Sequence, residues 1–384
     1  MDSSRTSGVR LIEKQADLER LFDRLKREPL IALDTEAASF HRFQDRVYLL
    51  QVSSRQETAV VDPLAVSSLE RLGELLADPA LEIVFHDADY DLRLLENEYG
   101  FRATNLFDTR IAAQLLNEPG IGLAALLEKY AGVRLDKRYQ RADWSVRPLT
   151  PEMLDYAAAD TTYLPRLRDT LRDRLRELDR LEWAAEEFEV LSSAPRLAAE
   201  PDEPAYLRLK GAKALNGRAL AILRELCQWR EELARRTDKA AFRIVNNEPM
   251  LLMAKSPPRD LSALKAIKGI GSDQAERRGK DILAAVQRGL QVPDRDLPRV
   301  ERRYRPPPDP AFEARLERLK SARNDLAQRY NLPAGVLCPN GVLESIARVE
   351  PETIEQLAAI PGVRRWQARE LGRGLLAALR QPAA

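Results

Sequence analysis

The sequence has few of the residues that several classes of site require. Its 384 residues include only two cysteines and two histidines. A disulfide framework or a cysteine-based zinc site is therefore not expected, and a histidine-rich metal site or a Ser-His-Asp triad has little material. We expect Cys227 and Cys338, which are far apart in the sequence, to be buried as small apolar residues in a reducing cytoplasm.

Long apolar runs are also missing. None approaches the roughly 18–20 residues of a membrane-spanning helix, and residues 1–15 lack the apolar core of a signal peptide. With 44% hydrophobic and 32% charged residues, the composition is that of a soluble globular protein, and the length allows two or three domains. We expect a cytoplasmic chain with no membrane association, and no obligate protein partner is evident.

The net charge of +1 conceals an uneven distribution along the chain. Residues 1–205 contain 27 Lys and Arg against 39 Asp and Glu, a net charge of −12. Residues 206–298 have a net charge of +8, and residues 299–384 one of +5. An acidic front half and a basic back half favour a polyanion, such as nucleic acid, bound by the back half. The alternative is chance variation in a solvated surface.

Strand and helix patterns alternate over the first 195 residues. Strands are predicted at 30–34, 46–54, 57–62 and 81–87. The short link between the second and third of these predicts an antiparallel pair. Helices are predicted at 17–28, 67–78, 89–100, 106–116, 122–132 and 151–183. Ser67 and Glu70 have the spacing of a capping box, and Gly100 is placed to end its helix. These patterns predict a mixed α/β domain at 1–195.

The rest of the chain is predicted to be helical and repeated. A helical domain is predicted at 205–292, a proline-rich linker at 293–308 and a second helical domain at 309–384. With an offset of 93 residues, LKAIKGIG at 264–271 aligns with LAAIPGVR at 357–364, without a gap. The same offset places Gly279 on Gly372 and Asn247 on Asn340. The alignment indicates a tandem repeat.

Acidic residues follow two of the predicted strands. In LIALDTE, Asp34 and Glu36 end an apolar run, and alternation along a strand places both side chains on one face. In FHDADYDL, three aspartates open a helix. Asp87 fits the N-cap, Asp89 lies in the first turn beside it, and Asp91, one turn further, is placed to face the strand ends.

A third stretch, LDYAAADTTYL, places Tyr156 and Asp160 four residues apart on one helix face, with three alanines between them. Together with Asp34, Glu36 and Asp91, this gives four carboxylates whose repulsion divalent cations would neutralise. Oxygen ligands of this kind favour Mg²⁺ or Mn²⁺. Two such ions about 4 Å apart can activate a water and stabilise the leaving oxygen of a phosphodiester, with the tyrosine orienting that water.

The stretches LDTE, HDADYDL and YAAAD resemble the three motifs of the DEDD exonucleases, in the branch that contains a tyrosine. The longer stretch LDKRYQRADWSVRPLTPEMLDYAAADTTYLPRL and the two helical repeats are similar to the ribonuclease D family, whose repeats are HRDC domains. The resemblance covers nearly the whole chain in order. It implies a ribonuclease-H-like fold and 3′→5′ removal of nucleoside monophosphates with two Mg²⁺ or Mn²⁺ ions, typically from structured RNA such as tRNA precursors.

The resemblance also assigns roles to residues. It implies that Asp34, Glu36, Asp91 and Asp160 are the catalytic metal ligands, and that Tyr156 positions the attacking water. All five positions match the family pattern, so the sequence predicts an active enzyme rather than an inactive relative.

Candidate RNA contacts are more loosely defined. Near the first glycine hairpin, backbone N–H groups at a helix start can bind phosphate, and the basic candidates there are Lys265, Lys268, Arg277 and Arg278. Tyr48 is a further candidate, with packing as its alternative role. The second hairpin, next to Arg364 and Arg365, either binds nucleic acid or serves as a protein-contact module.

Two other functions stay open at this point. A 3′→5′ exonuclease acting on DNA has the same acidic motifs, and no residue in these motifs identifies a 2′-hydroxyl. A non-catalytic nucleic-acid-binding adaptor would retain the fold, but unpaired buried carboxylates bring no advantage to a protein that only binds.

Overall fold

The computed structural model describes residues 9–196, 203–300, 307 and 309–380. The described residues form two compact units. The first contains residues 9–36, 47–196, 307 and 309–380, and the second contains residues 37–46 and 203–300. Within these ranges, no helix has both the length and the apolar character needed to cross a membrane.

A six-stranded sheet organises the first unit, in the order β1-β4-β3-β2-β5-β6. The strands are Arg10–Ile12 (β1), Leu30–Glu36 (β2), Leu49–Ser53 (β3), Thr58–Val61 (β4), Glu82–Phe85 (β5) and Leu106–Asp108 (β6). β3 runs antiparallel to both β2 and β4, whereas the other neighbours are parallel. The expected mixed sheet, with its antiparallel pair, is therefore confirmed. Both faces of β2 are covered, which explains its continuous apolar run.

Eight helices accompany the sheet in the described residues 9–196. They are Gln15–Leu25 (α1), Glu70–Ala77 (α2), Asp89–Tyr99 (α3), Thr109–Leu115 (α4), Leu123–Ala131 (α5), Pro151–Thr162 (α6), Leu164–Glu177 (α7) and Leu181–Ser193 (α8). α6 packs against β2, β3 and β4, while α7 packs against β2 and β5, and α8 against β6. Gly100 ends α3 with a φ of +73°, as the sequence predicts.

Several local predictions were wrong. β1 was not predicted, residues 106–108 form a strand rather than the start of a helix, and the helical stretch 151–183 is divided into three helices. The capping box is also wrong, because α2 begins at Glu70 with Leu69 at its N-cap position. Ser68 Oγ instead accepts a hydrogen bond of 3.1 Å from the Glu70 N–H.

The remaining helices form two repeats with nearly the same boundaries. The first contains Gly217–Thr237 (α9), Ala241–Ile244 (α10), Asn247–Lys255 (α11), Leu261–Lys265 (α12) and Ser272–Gln291 (α13). The second contains Pro310–Tyr330 (α14), Ala334–Leu337 (α15), Asn340–Val349 (α16), Ile354–Ala358 (α17) and Arg365–Arg380 (α18). Every helix of the second repeat begins 93 residues after its counterpart in the first.

The offset also holds for buried hydrogen bonds. Arg230 Nη1 lies 2.7 Å from Asn247 Oδ1, and Arg323 Nη1 lies 2.6 Å from Asn340 Oδ1. Each arginine also donates to a backbone carbonyl between the second and third helices of its repeat, at 3.2 Å in both repeats. The two segments therefore share the same fold, including a buried arginine that links the first helix of each repeat to the third.

The domain boundaries predicted at 195, 205, 292 and 309 all lie between helices. α8 ends at Ser193, and α13 ends at Gln291. Residues 301–306 and 308 of the predicted linker lie outside the described residues, as do 197–202 and 381–384. The boundaries themselves stay predictions.

Candidate metal centre

The end of β2 carries the first two acidic side chains. Residues 30–33 are buried, and the strand continues through Asp34 and Glu36 before the chain leaves the sheet. In the antiparallel ladder with β3, Asp34 lies opposite Gln51, and Glu36 lies opposite Leu49. Directly opposed residues project from the same face of a sheet, so these four side chains share the face that α6 covers.

Helix α6 brings the third acid to that face. The hydroxyl of Thr150 caps its start by accepting from the Met153 N–H at 3.3 Å. Near its end, Thr161 Oγ1 lies 2.8 Å from Ser53 Oγ of β3. This contact sets the rotation of the helix about its axis, and Asp160 is thereby directed toward the end of β2.

Asp34, Glu36 and Asp160 form a compact cluster, in which one carboxylate oxygen from each lies within 4.8 Å of the others. Burial raises the pKa of all three carboxyls, that of Asp160 to about 7. The neighbouring carboxylates raise the pKa of Asp34 and Glu36 further, because each charge disfavours the next. Among the described residues, no lysine or arginine forms an ion pair with any of the three.

Asp91 joins the strand end in a different way. Its Oδ1 accepts hydrogen bonds from the N–H of Thr35, at 2.9 Å, and from the Thr35 hydroxyl. The side chain is only 5% exposed, and burial raises its pKa to about 7 although the bonds from Thr35 lower it. Asp91 is thus held beside β2 as the sequence predicts, although its oxygens lie outside the cluster of three.

The predicted N-cap role of Asp87 is wrong. Asp87 has a φ of +66°, in the left-handed region, and its carboxylate pairs with Arg110. The carboxylate of Asp108, at the end of β6, accepts instead from the N–H groups of Asp87 and Ala88, at 3.2 and 2.8 Å. It also caps α4 by accepting from Arg110 and Ile111. One buried aspartate, distant in sequence, therefore organises the start of the helix that carries Asp91.

Tyr156 lies on α6, one turn before Asp160, and is half-buried. Its ring contacts those of Tyr139 and Trp144, with centroid distances of 5.8 and 6.0 Å. Burial raises the pKa of the phenol, and the carboxylates of Asp160 and Glu36 raise it further. The hydroxyl therefore stays protonated at neutral pH, and it lies near the acidic cluster.

The loop that supplies Trp144 is fixed by Arg147. Its guanidinium pairs with Asp62 through two nitrogens, the longer contact measuring 2.9 Å. It also donates to the backbone carbonyls of Trp144 and Tyr48, at 2.7 and 2.8 Å. The aromatic wall behind Tyr156 is therefore attached directly to the sheet.

The donor set fits divalent cations. Three carboxylates with oxygens this close, without a basic partner in the described residues, repel one another unless a cation lies between them. Their oxygens are the hard ligands that Mg²⁺ and Mn²⁺ prefer. The acidic cluster is therefore a candidate site for a divalent metal.

The predicted RNA-contacting residues lie in varied settings. Tyr48 is only 6% exposed, which favours a packing role. Lys265 and Lys268 form exposed ion pairs with Glu276 and Glu248, at 3.0 and 3.3 Å. These pairs stabilise the fold little and leave the ammonium groups accessible.

The two arginines near the first hairpin differ from each other. Arg277 forms an exposed pair with Asp273, at 3.3 Å. Arg278 is partly buried and donates to the carbonyl of Ile244 at 2.9 Å, which gives it a structural role. RNA contact stays a prediction for all of these residues.

The basic residues of the second hairpin contact α8 of the same unit. The N–H groups of Arg365 and Trp366 donate to the carboxylate of Glu186, at 2.6 and 3.0 Å. Arg364 pairs with Glu187 at 3.1 Å. Trp366 stacks on Trp183 with a centroid distance of 4.4 Å. The second hairpin therefore makes contacts within its own chain, and its function, nucleic-acid binding or a protein-contact module, stays a prediction.

Comparison with known proteins agrees with these features. A model of the 3′-5′ exonuclease domain matches residues 9–176, and a model of the HRDC domain matches residues 219–286 and 312–379. A curated ribonuclease D from Granulibacter bethesdensis is 33% identical over 97% of this chain and 93% of its own length. The chain belongs to the ribonuclease D family. Membership makes it a 3′→5′ exoribonuclease, which is a hydrolase.

A solved structure of the same architecture supports the ribonuclease D assignment. The crystal structure of ribonuclease D from Escherichia coli, described as an exoribonuclease involved in structured RNA processing, has a TM-score of 0.70 and 26% identity. The match covers 97% of this chain and 99% of that one. A protein from Bifidobacterium adolescentis shares the fold over 98% of both chains, with a TM-score of 0.84 and 24% identity.

Proposed function

We propose that this ribonuclease D family member removes nucleoside monophosphates from the 3′ end of structured RNA, with tRNA precursors as the expected substrates. Two Mg²⁺ or Mn²⁺ ions, held by Asp34, Glu36, Asp91 and Asp160, would serve the reaction. The supporting observation is the cluster of Asp34, Glu36 and Asp160, whose carboxylates lie within 4.8 Å of one another without a basic partner in the described residues.

The proposed roles follow from the chemistry of each side chain. Bound divalent cations supply activation of the attacking water and neutralisation of the charge that develops on the phosphate. Asp34, Glu36 and Asp160 are the ligands on the shared face, and Asp91, held by Thr35, is the fourth. Buried carboxylates of this kind are disfavoured as anions until a cation is present, which couples their ionisation to metal binding.

Tyr156 positions the water rather than taking its proton. Because burial and the neighbouring acids raise the pKa of its phenol, the hydroxyl is protonated at neutral pH and is a poor base. It can still form a hydrogen bond with a water near Asp160. The rings of Tyr139 and Trp144, which contact the Tyr156 ring, limit its rotation, so the hydroxyl is presented in one direction.

A single-turnover assay on a tRNA with a 3′ extension tests the proposal. With Mg²⁺ present, Asp34→Asn and Asp160→Asn should each lower the rate by about 10³-fold, comparable to the loss of one strong electrostatic contact in an active site. Asp155→Asn is the matched control, because this exposed acid lies on the same helix as Asp160 but outside the cluster. It should react at the parental rate.

Two outcomes would contradict the proposal. If Asp160→Asn shortens the RNA as fast as the parent does, the acidic cluster is not the reaction site. If a DNA oligonucleotide is degraded as fast as RNA of the same sequence, the enzyme does not select RNA, and the proposed class of substrate is wrong.

A further inference from the structure

One buried amide beside the acidic cluster has no partner. Gln51 lies in the middle of β3 and is 0% exposed. Neither its Nε2 nor its Oε1 forms a hydrogen bond with any described residue. Burying a polar group without a partner lowers the stability of the folded state, so such groups are rare and commonly mark functional sites. Among the described side chains, only Gln51 has both a buried donor and a buried acceptor unpaired.

The position of Gln51 identifies what the amide faces. Its Cα is paired with that of Asp34 in the β2–β3 ladder. Directly opposed side chains begin about 4.5–5.5 Å apart at their Cβ atoms and share one face. The amide and the carboxylate are therefore immediate neighbours on the face that α6 covers.

Other polar groups nearby are already engaged. The next residue of β3 on this face, Ser53, shares its hydroxyl with Thr161 at 2.8 Å and with Thr58 at 2.8 Å. The α6 residues beside Thr161 include the buried Ala157 and Ala158, which offer no polar side-chain atom. The carboxylate of Asp34 is thus the polar group best placed to pair with the amide.

We propose that Gln51 is a positioning residue for the metal site: its side-chain amide donates to an oxygen of Asp34 and holds that carboxylate in the orientation that binds a cation. This inference rests on the proposed function, since it takes Asp34 as a metal ligand. A metal-ligating group is commonly oriented by a hydrogen bond from a neighbouring residue, and loss of that bond typically weakens metal binding by about 10–100-fold. The hydrogen bond would give a partner to an amide that is otherwise unpaired.

Titration of the full chain with Mn²⁺ alone, followed by calorimetry, tests this role without any turnover. Gln51→Leu removes the amide at similar volume and should raise the Kd for Mn²⁺ by about 10-fold or more. Its melting temperature in EDTA should equal or exceed that of the parent, because an unpaired polar group has been removed. Gln51→Met offers a more flexible side chain in case the branched leucine packs poorly.

Gln367 provides the matched control. It is also a buried amide, at 4% exposure, but its Nε2 donates to the Leu337 carbonyl and its Oε1 accepts from the Arg364 N–H, both at 3.0 Å. Gln367→Leu should lower the melting temperature in EDTA and leave the Kd for Mn²⁺ unchanged. The two substitutions are therefore expected to have opposite effects.

The outcomes separate this inference from the proposed function. If the parent binds Mn²⁺ and both Gln51 variants bind it with the parental Kd, the positioning role is overturned, whatever their melting temperatures. If the parent binds no Mn²⁺, or Asp34→Asn binds it as well as the parent does, the proposed metal site itself fails.

Discussion

Two groups of carboxylates in the first unit have opposite surroundings. At the end of β2, Asp34, Glu36 and Asp160 lie together without a basic partner in the described residues. Along α8, four glutamates are paired with arginines at the start of α18, at distances of 2.6–3.4 Å; they are Glu182, Glu186, Glu187 and Glu189. Both groups are acidic, but only the second is neutralised by basic side chains of the described chain.

The difference shows how to distinguish a structural acid from a reactive one. Glu186 and Glu187, which are largely buried, stabilise the folded chain because the fold itself supplies their partners. The exposed pairs of Glu182 and Glu189 contribute little. We expect the β2 cluster to lower the stability of the folded chain until a cation is added. Substitution of an acid should therefore have opposite effects on stability in the two places.

The largest effect is expected at the acidic cluster. Asp160→Asn should abolish most hydrolysis while raising the melting temperature in EDTA, because one of three repelling carboxylates becomes neutral. Differential scanning calorimetry in EDTA provides the measurement. A lower melting temperature for Asp160→Asn would break the comparison, since it would show that this acid also stabilises the fold.

At the contact between α8 and α18, the largest loss of stability is expected from substitution of Trp366. Trp366→Ala removes the stack on Trp183 and the hydrogen bond from the indole to Glu187. Truncation of a buried tryptophan typically destabilises by about 3–5 kcal/mol. The rate on a short single-stranded RNA should remain near parental at a temperature where the variant is folded. Trp366→Phe, which retains a ring, should show a smaller loss in chemical denaturation.

The response to metal should depend on pH at the cluster. The folded-state pKa of Asp91 and Asp160 is about 7, above the ordinary 3.8. Their contribution to stability is therefore complete below pH 4 and is lost as the pH rises through 7. The rise in melting temperature caused by Mg²⁺ should be larger at pH 8 than at pH 6, because fewer protons compete with the cation. An equal rise at both values would contradict these shifts.

The charge of a single α8 glutamate should have a moderate effect. Glu187 accepts from Arg364 and from the Trp366 indole, each at 3.1 Å. Glu187→Gln keeps an acceptor but loses the charge, and hydrogen bonds to charged groups contribute about 1.5–3 kcal/mol. The melting temperature should fall by a few degrees and should not respond to Mg²⁺ differently from the parent. A changed response to Mg²⁺ would mean that the two acidic groups are coupled.

The smallest effect on stability is expected at the first hairpin. Lys265→Ala combined with Lys268→Ala removes exposed pairs that contribute about 0–1 kcal/mol each. The melting temperature should hardly change, whereas RNA binding should weaken and become less dependent on salt. Filter binding at several salt concentrations measures this. Unchanged binding would exclude the first hairpin as a phosphate contact.

Much of the architecture could be predicted because its signals are local. The apolar run at 30–33 predicts β2, and the four-residue spacing of Tyr156 and Asp160 predicts that they share a helix face. The aligned glycines predict the repeat. Gly269 and Gly362 both have a φ of +91°, and 93 residues separate them. A backbone position with positive φ favours glycine, so the same turn in both repeats leads to a glycine at the same place in the sequence.

Features that depend on residues distant in sequence were missed. Asp87 has the sequence context of a helix cap, but the backbone N–H groups near it are satisfied by Asp108, which lies 21 residues later. The sequence did not reveal the acidic partners of the second hairpin. Glu186 and Glu187 are separated from it by about 180 residues, and no local pattern connects the two segments. Gln51 gave no signal, since a single glutamine in an apolar strand identifies no neighbour.

The hydroxyl contacts of α6 determine which changes in chain length the site can accept. Each of the elements that carry the acids is fixed separately: β2 by the ladder, α3 by the Thr35–Asp91 bonds and α6 by Thr161 on Ser53. A change of length in a loop that makes none of these contacts, and that does not supply Tyr139 or Trp144, should therefore leave the acids aligned. One residue inserted between Asp160 and Thr161 would instead rotate the acid by about 100°. The site therefore depends little on how many residues separate its elements in sequence, but strongly on the rotation of Asp160 about the axis of α6.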